Sequence, residues 1–151
     1  MLRDRLNEAL KEATLAKDSC AKATIRLVLA ALKDRDIATR SKDNNAGIND
    51  DQILRLLQTM VKQRRESIEM YRKGDRQDLA DREAREIEVI QRFLPEQMGE
   101  ASVAEAVEQV IVDIGAGGLK EMGKVMSALR ERYAGRMDFA KASAVAKQRL
   151  S

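Results

Sequence analysis

Few residues of this chain could take part in catalysis, and none of them has a neighbour that would activate it. The only cysteine, Cys20, follows Ser19, but the 151 residues contain no histidine that could activate either side chain as a general base. The carboxylates of Glu83, Glu86 and Glu88 lie among arginines, so ion pairing explains them better than general acid–base catalysis. We therefore expect no catalytic residue. With no histidine and one thiol, we also expect no metal site and no cofactor.

Three glycines, at 115, 117 and 118, are the closest approach to a phosphate-binding loop. The spacing G-x-x-x-x-G-K-[ST] is absent, and no strand precedes these glycines as a dinucleotide-binding fold would require. Glycine is also the residue that most often ends a helix. The segment "GAGG" therefore predicts the end of a helix.

The composition predicts a helical protein. Apolar residues make up 44% of the chain and aromatic residues only 3%, with a single proline, and the dominant residue types are good helix formers.

The longest apolar run, residues 27–32, is far too short to cross a bilayer, and the first ten residues lack the apolar segment of a signal peptide. Together with the single cysteine, these features predict a soluble, cytoplasmic protein without a membrane partner.

The helices that must carry any functional side chain can be placed from apolar spacing. Apolar residues three and four positions apart predict two helices before residue 40. The polar segment 40–49 predicts a loop, and Asn49 or Asp50 can cap a long third helix that ends at Gly74. Arg64 occupies an apolar position in this helix. Either its stem packs along the edge of the core or the guanidinium forms an ion pair.

A fourth helix is expected from about Leu79 to Leu94, before Pro95. Acidic residues precede basic residues by four positions at three places, a spacing that favours ion pairs along one helix. These pairs are Asp78 with Arg82, Asp81 with Arg85, and Glu88 with Arg92.

Three shorter helices are expected after Pro95. Ser102 and Glu105 have the spacing of a capping box at the start of the fifth helix. Gly135 is expected to end the sixth helix, and Asp138 can cap the seventh. The predicted fold class is all-α, with an N-terminal antiparallel helical block followed by a small three-helix tail domain. The predicted boundaries are 1–94 for the helical domain, 95–101 for a linker and 102–151 for the tail domain.

The net charge of +3 is distributed unevenly along the chain. Residues 95–114 contain five acids and no base, whereas residues 115–151 contain eight bases and three acids. A basic surface on the last two helices could bind phosphates. The alternative is an ordinary solvated helical face, because such an excess over two helices is common.

Several segments together resemble the YqeY-like family. They are residues 25–37, 50–98, 121–138 and 143–150. The family comprises small bacterial proteins whose C-terminal part is similar to the tail domain of the B subunit of glutamine-dependent aspartyl/glutamyl-tRNA amidotransferase. The catalytic parts of that enzyme lie outside the similarity. The resemblance thus implies a bacterial, non-catalytic accessory protein that binds tRNA or another structured RNA.

The resemblance also implies which residues contact the RNA. Positions of the family pattern that could meet a phosphate fall on "GKVM" at 123–126. Val125 and Met126 lie on the apolar stripe of the predicted helix, so Gly123 and Lys124 remain as the expected contacts. The further candidates are Arg130, Arg136, Lys141 and Lys147.

Two other functions remain open at this point. One is a protein-interaction module that docks on an amidotransferase or an aminoacyl-tRNA synthetase through the third helix and the acidic segment 96–113. The other is a carbon–nitrogen ligase activity with glutamine as amido-N-donor, which the family carries by homology to the larger enzyme.

Overall fold

The computed structural model describes residues 1–41 and 45–151, and within these ranges the chain forms helices and no strands. The prediction of an all-α fold is confirmed. A single turn of 3-10 helix at Leu119–Glu121 precedes the sixth helix. The α-helices found in these ranges are α1 (Leu2–Leu15), α2 (Ser19–Ala38), α3 (Asp50–Lys73), α4 (Gln77–Gln91), α5 (Glu100–Ile114), α6 (Met122–Arg132) and α7 (Phe139–Leu150).

The helices form two compact units with separate hydrophobic cores. Unit 1 comprises Met1–Pro95 and contains α1 to α4, and unit 2 comprises Glu96–Ser151 and contains α5 to α7. In unit 1, α4 packs against both α2 and α3. In unit 2, each of the three helices contacts the other two. The fully buried side chains include Leu6, Ile53, Leu57 and Ile90 in unit 1, and Val107, Val110, Val125, Leu129 and Met137 in unit 2.

Local signals in the sequence define both ends of α3. The side chain of Asn49 accepts a hydrogen bond from the Gln52 amide at 2.9 Å, and the Gln52 side chain accepts one from the Asn49 amide at 2.9 Å. This reciprocal capping box satisfies two amides that a helix otherwise leaves without partners. Gly74 follows the last helical residue, Lys73, as predicted. The cap at Asn49, one of two candidates from the sequence, is confirmed.

The cap provides a first testable prediction. Asn49→Ala should lower the free energy of unfolding by about 1 kcal/mol, because the Gln52 amide loses its acceptor. Urea denaturation of the full chain measures this difference. Asn45→Ala is a suitable control because that exposed asparagine lies outside the cap. An equal shift of the midpoint in both variants would contradict the assignment.

A network of hydrogen bonds joins α1, α2 and the segment that enters α3. The guanidinium of Arg3 donates to both carboxylate oxygens of Asp36 at 2.6 Å each, and to the Ile48 carbonyl oxygen at 2.8 Å. The Ile48 amide donates to Asp36 at 2.9 Å. Gly47 has a φ of +81°, and a Cβ there would overlap the Asp36 carboxylate. The predicted loop at 40–49 lies partly outside the described residues, and its described residues 45–49 are not helical.

The details of α4 differ from the prediction. The helix begins at Gln77 and ends at Gln91, two to three residues before the predicted bounds. Within the described ranges, none of the three predicted ion pairs forms. Asp78 instead accepts a hydrogen bond from Arg76 at 3.1 Å, and Arg82 lies 3.9 Å from Glu86. Pairs at this spacing contribute only a few tenths of a kcal/mol, so other partners readily displace them.

The start of α5 also corrects the prediction. Gly99 is the N-cap and Glu100 the first helical residue, so Ser102 and Glu105 lie inside the helix and form no capping box. The negative charge of Glu100 in the first turn favours this earlier start.

The other termini in unit 2 follow the sequence more closely. Gly115 ends α5 with a φ of +67°, and the Asp138 side chain caps α7 by accepting hydrogen bonds from the amides of Ala140 and Lys141. Helix α6 ends at Arg132, and Gly135 lies in the turn that follows with a φ of +77°. Gln97 donates to the Gly135 carbonyl oxygen at 2.6 Å. This bond attaches the segment before α5 to the turn between α6 and α7.

Candidate functional site

The residues expected to contact RNA all lie on α6, on α7 or in the turn between them. Gly123 and Lys124 are in the first turn of α6, Arg130 is in its last turn, Arg136 is in the connecting turn, and α7 carries the remaining two, Lys141 and Lys147. All six are exposed. The neighbouring Val125 and Met126 are buried in the core of unit 2, which confirms that they are packing residues.

Gly123 leaves the backbone at the start of α6 uncovered. A Cβ built at this position would meet no other atom within 4 Å. Its φ is not in the left-handed region, so neither packing nor backbone conformation requires glycine here. Glycine within a helix costs roughly 1 kcal/mol relative to alanine. The packing and backbone conformation of unit 2 therefore give no reason for this glycine.

Helix α5 neutralises two of the arginines on the neighbouring helices. Arg132 donates to Asp113 at 2.8 Å, and Arg149 forms an ion pair with Glu108. The hydrogen bond from Arg132, with a second from Gln109, lowers the pKa of the Asp113 carboxyl. Acids from residues 95–114 thus compensate part of the basic excess that follows them in the sequence.

The other bases of unit 2 have no such compensation. Within the described ranges, no carboxylate lies within ion-pair distance of the side chains that follow: Lys120, Lys124, Arg130, Arg136, Lys141 and Lys147. The charge of these exposed bases is therefore not compensated by a paired carboxylate in the described ranges. Five of these bases form what we call the free basic surface: Lys124, Arg130, Arg136, Lys141 and Lys147.

The periodicity of the helices shows where these bases lie. At about 100° per residue, Arg130 and Arg132 fall on opposite sides of the buried stripe of α6. Lys147 and Arg149 fall on opposite sides of the buried stripe of α7 in the same way. The paired arginines therefore lie on the sides that turn toward α5, and Arg130 and Lys147 lie on the opposite sides. The free bases are thus spread over several sides of α6 and α7 and not along a single narrow strip, and the exposed acids Glu131 and Asp138 lie among them in the sequence.

A largely buried ion pair in unit 1 resolves the alternatives for Arg64. Its Nε donates to Oε2 of Glu86 at 2.9 Å, and the two side chains are only 13% and 15% exposed. A further Arg64 nitrogen donates to the Met60 carbonyl oxygen at 3.2 Å. The out-of-pattern arginine was the only sequence signal for this pair, because its partner lies 22 residues away.

The described part of the chain offers no other obvious chemistry. No three cysteine, aspartate or glutamate side chains there are grouped so that they could hold a metal ion. None of the helices described combines the length and the apolar character that crossing a membrane requires.

These observations define a two-unit helical protein with an exposed basic surface on its second unit. The model of the Yqey-like protein family matches residues 3–150. The chain belongs to this family.

The chain is similar to several curated fungal proteins. A protein of Lachancea thermotolerans named "Altered inheritance of mitochondria protein 41, mitochondrial" is 39% identical over 101 residues, which are 66% of this chain and 51% of the relative. The protein of the same name in Kluyveromyces lactis is 35% identical over 72% of this chain and 58% of its own length. That in Pyrenophora tritici-repentis is 30% identical over 85% and 71%. The chain thus spans little more than half the length of the first two.

These relatives contradict one prediction from the sequence. A bacterial, cytoplasmic protein was expected, whereas the three relatives named above are eukaryotic and carry "mitochondrial" in their names. The prediction is wrong on this comparison. A single unpaired cysteine reports on the redox state of a compartment and not on its identity, so this signal could not support the assignment.

Proposed function

We propose that unit 2 binds the phosphate backbone of a structured RNA, with tRNA as the RNA implied by the family resemblance, and that the chain acts as a non-catalytic binding protein. The observation that supports this function is the free basic surface, whose five side chains have no carboxylate partner in the described ranges. Bases that meet phosphates release counterions and gain affinity without reading the sequence.

The breadth of the basic surface favours recognition of RNA by its shape. Lys124 and Lys147 lie at one end of the α6–α7 pair, and Arg136 lies in the turn at the other end. Double-stranded RNA is recognised largely through its backbone geometry, because its deep groove is closed to side chains. A surface of separated bases without exposed tryptophan or phenylalanine suits that mode better than the stacking of single-stranded bases.

The proposal predicts salt-sensitive binding of tRNA. Titration of tRNA with the full chain at about 50 mM salt should give saturable binding that weakens steeply as salt rises. The double substitution of Lys124→Glu and Arg136→Glu should weaken binding at least about tenfold. It should also reduce the slope of log K against log salt by about two, because two phosphate contacts are lost.

A matched control separates this effect from a change of net charge. Lys33→Glu with Arg72→Glu makes the same charge change at exposed positions of unit 1. The affinity of this control for tRNA should stay close to that of the unsubstituted chain. The absence of binding at about 50 mM salt, or an equal loss in both double variants, would overturn the proposal.

The alternative of a protein-docking surface on the acidic segment 96–113 gains no support from the structure of unit 2. Glu108 and Asp113, two of its acids, already pair with Arg149 and Arg132. A pull-down from lysate with and without nuclease distinguishes the two functions, because only an association mediated by RNA is lost on digestion.

A further inference from the structure

An open pocket of about 380 Å³ lies on unit 2 between α5 and the turn that joins α6 to α7. One wall is a side of α5, which contributes Ser102, Glu105 and Gln109 at helical spacing. The turn contributes Tyr133 and Arg136 to the opposite wall. The volume lies within the range of small-ligand sites, about 300–1,000 Å³. The pocket therefore has room for one small ligand or for one residue of a larger one.

Hydrogen bonds hold the turn that forms this second wall. The Met98 amide donates to the Arg136 carbonyl oxygen at 2.9 Å, and the Gln97 side chain donates to the Gly135 carbonyl oxygen at 2.6 Å. Within the turn, the Arg136 amide donates to the Tyr133 carbonyl oxygen at 3.1 Å. Because Met98 lies just before α5, the backbone of Arg136 lies at the end of the pocket where α5 begins. The two walls are thus fixed to each other before any ligand binds.

The pocket combines an aromatic ring, a carboxylate and a cation. The Tyr133 side chain is partly buried and packs against the core of unit 2. Within the described ranges, the side chains of Ser102, Glu105 and Tyr133 form no hydrogen bond or ion pair with another residue. Arg136 belongs to the free basic surface, so the pocket is continuous with the surface proposed to bind phosphates.

A nucleotide carries a partner for each of these three groups. Its phosphate pairs with a guanidinium, and its base stacks on an aromatic ring. The carboxylate determines which base fits, because it offers two acceptors and no donor. Among the four RNA bases, only guanine presents two adjacent donors, N1–H and N2–H, on its Watson–Crick edge. Adenine, cytosine and uracil place an acceptor beside the donor, and a carboxylate repels that acceptor.

We propose that this pocket binds one unpaired guanosine of the RNA that unit 2 holds. Glu105 accepts both donors of guanine, the Tyr133 ring stacks on the base, and Arg136 binds the phosphate of the same nucleotide. The loops of structured RNA contain unpaired bases, and sequence-specific recognition of RNA is directed mainly at them. The pocket thereby adds a preference for one base to a surface that otherwise contacts the backbone. This inference rests on the proposed function, since it assigns a base contact to the same RNA.

The first test uses guanosine monophosphate and adenosine monophosphate as probes. In a ¹H–¹⁵N chemical-shift titration of the full chain, guanosine monophosphate should give saturable shifts concentrated on the residues that line the pocket. Adenosine monophosphate should bind about tenfold more weakly. Glu105→Gln should abolish this preference, because a side-chain amide has only one acceptor to offer to the two donors. Glu131→Gln makes the same charge change at an exposed position of unit 2 outside the pocket, and it should keep the preference.

A pair of RNA hairpins distinguishes an RNA residue from a free nucleotide as the source of the guanosine. The hairpins share one duplex and differ only in a single bulged residue, which is guanosine in one and adenosine in the other. The full chain should bind the guanosine hairpin about tenfold more tightly. Glu105→Gln should abolish this difference without changing the slope of log K against log salt, because Glu105 contacts no phosphate.

The aromatic ring provides a second pair of variants. Tyr133→Phe keeps the ring and should bind the guanosine hairpin as the unsubstituted chain does. Tyr133→Leu should weaken that binding about tenfold, because stacking on the base is lost. Glu105 is exposed, so Glu105→Gln remains a valid test even if Tyr133→Leu proves unstable.

The outcomes separate this inference from the proposed function. Equal, salt-sensitive binding of both hairpins would overturn the guanosine pocket and leave the proposed function intact, whether or not guanosine monophosphate shifts the pocket. Absence of binding to either hairpin and to tRNA at about 50 mM salt would overturn both. A preference for guanosine that survives Glu105→Gln would also contradict the assignment of this pocket.

Discussion

Replacement of Glu86 by alanine is expected to lower the free energy of unfolding by about 3 kcal/mol. The reason is that Arg64 keeps its charge at a site where its side chain is only 13% exposed, and no other carboxylate lies within ion-pair distance of it in the described ranges. Loss of one partner of a buried ion pair leaves an uncompensated charge, which is more destabilising than loss of both.

Urea denaturation of the full chain measures this effect, and a double variant makes the test specific. Arg64→Met combined with Glu86→Leu replaces the pair by apolar side chains and should recover most of the loss. Glu88→Ala, an exposed change on the same helix, is the control and should stay within about 0.5 kcal/mol of the unsubstituted chain. A loss below about 1 kcal/mol for Glu86→Ala, or no recovery in the double variant, would show that the pair is not buried as described.

The second large effect is expected at the network between α1 and α2. Asp36→Ala should lower the free energy of unfolding by about 1.5 kcal/mol at neutral pH. The Ile48 amide loses its acceptor, and Arg3 loses its carboxylate partner and keeps only the Ile48 carbonyl oxygen. The estimate stays at the low end of the range for charged hydrogen bonds, since the Arg3 and Asp36 side chains are 33% and 22% exposed.

The same network predicts a pH dependence of definite sign. The hydrogen bonds from Arg3 lower the pKa of the Asp36 carboxyl in the folded chain. A lowered pKa contributes stability that is fully present above the unfolded value, near pH 4, and is lost as pH falls through the folded value. The difference between the unsubstituted chain and Asp36→Ala should therefore be constant from pH 7 to about 5 and shrink below about pH 4.

Urea denaturation at several pH values provides the measurement, with Asp34→Ala as a control on the exposed face of α2. A difference for Asp36→Ala that does not change with pH would contradict the role of the ionised carboxylate.

The sequence predicts those parts of the fold that depend on neighbouring residues. Asn49 with Gln52, Gly115 and Asp138 each act within a few positions of their own backbone, and they define the helix ends that were expected from them. The capping box predicted at Ser102 does not form because the same pattern also occurs inside a helix, and α5 begins at Glu100 with Gly99 as its N-cap. A local pattern thus identifies a helix more securely than its first residue.

Tertiary partners could not be predicted from spacing. Arg64 violates the apolar pattern of α3, but only the packing of α4 against α3 shows that Glu86 is its partner. The excess of bases after residue 115 was visible in the sequence. Which of them remain free was not, since the pairing of Arg132 and Arg149 depends on how α5 packs against α6 and α7. Contact of the free bases with RNA stays a prediction.

The acids of α5 also make the electrostatic potential around unit 2 asymmetric. Glu108 and Asp113 cancel charge along the flank where Arg149 and Arg132 lie, while the five bases of the free basic surface have no such partner in the described ranges. A field of this kind exerts a torque on a polyanion before the two molecules touch. If unit 2 binds RNA as proposed, this asymmetry would select the orientation of the RNA in the encounter step, and ionic strength would control that selection through the Debye length.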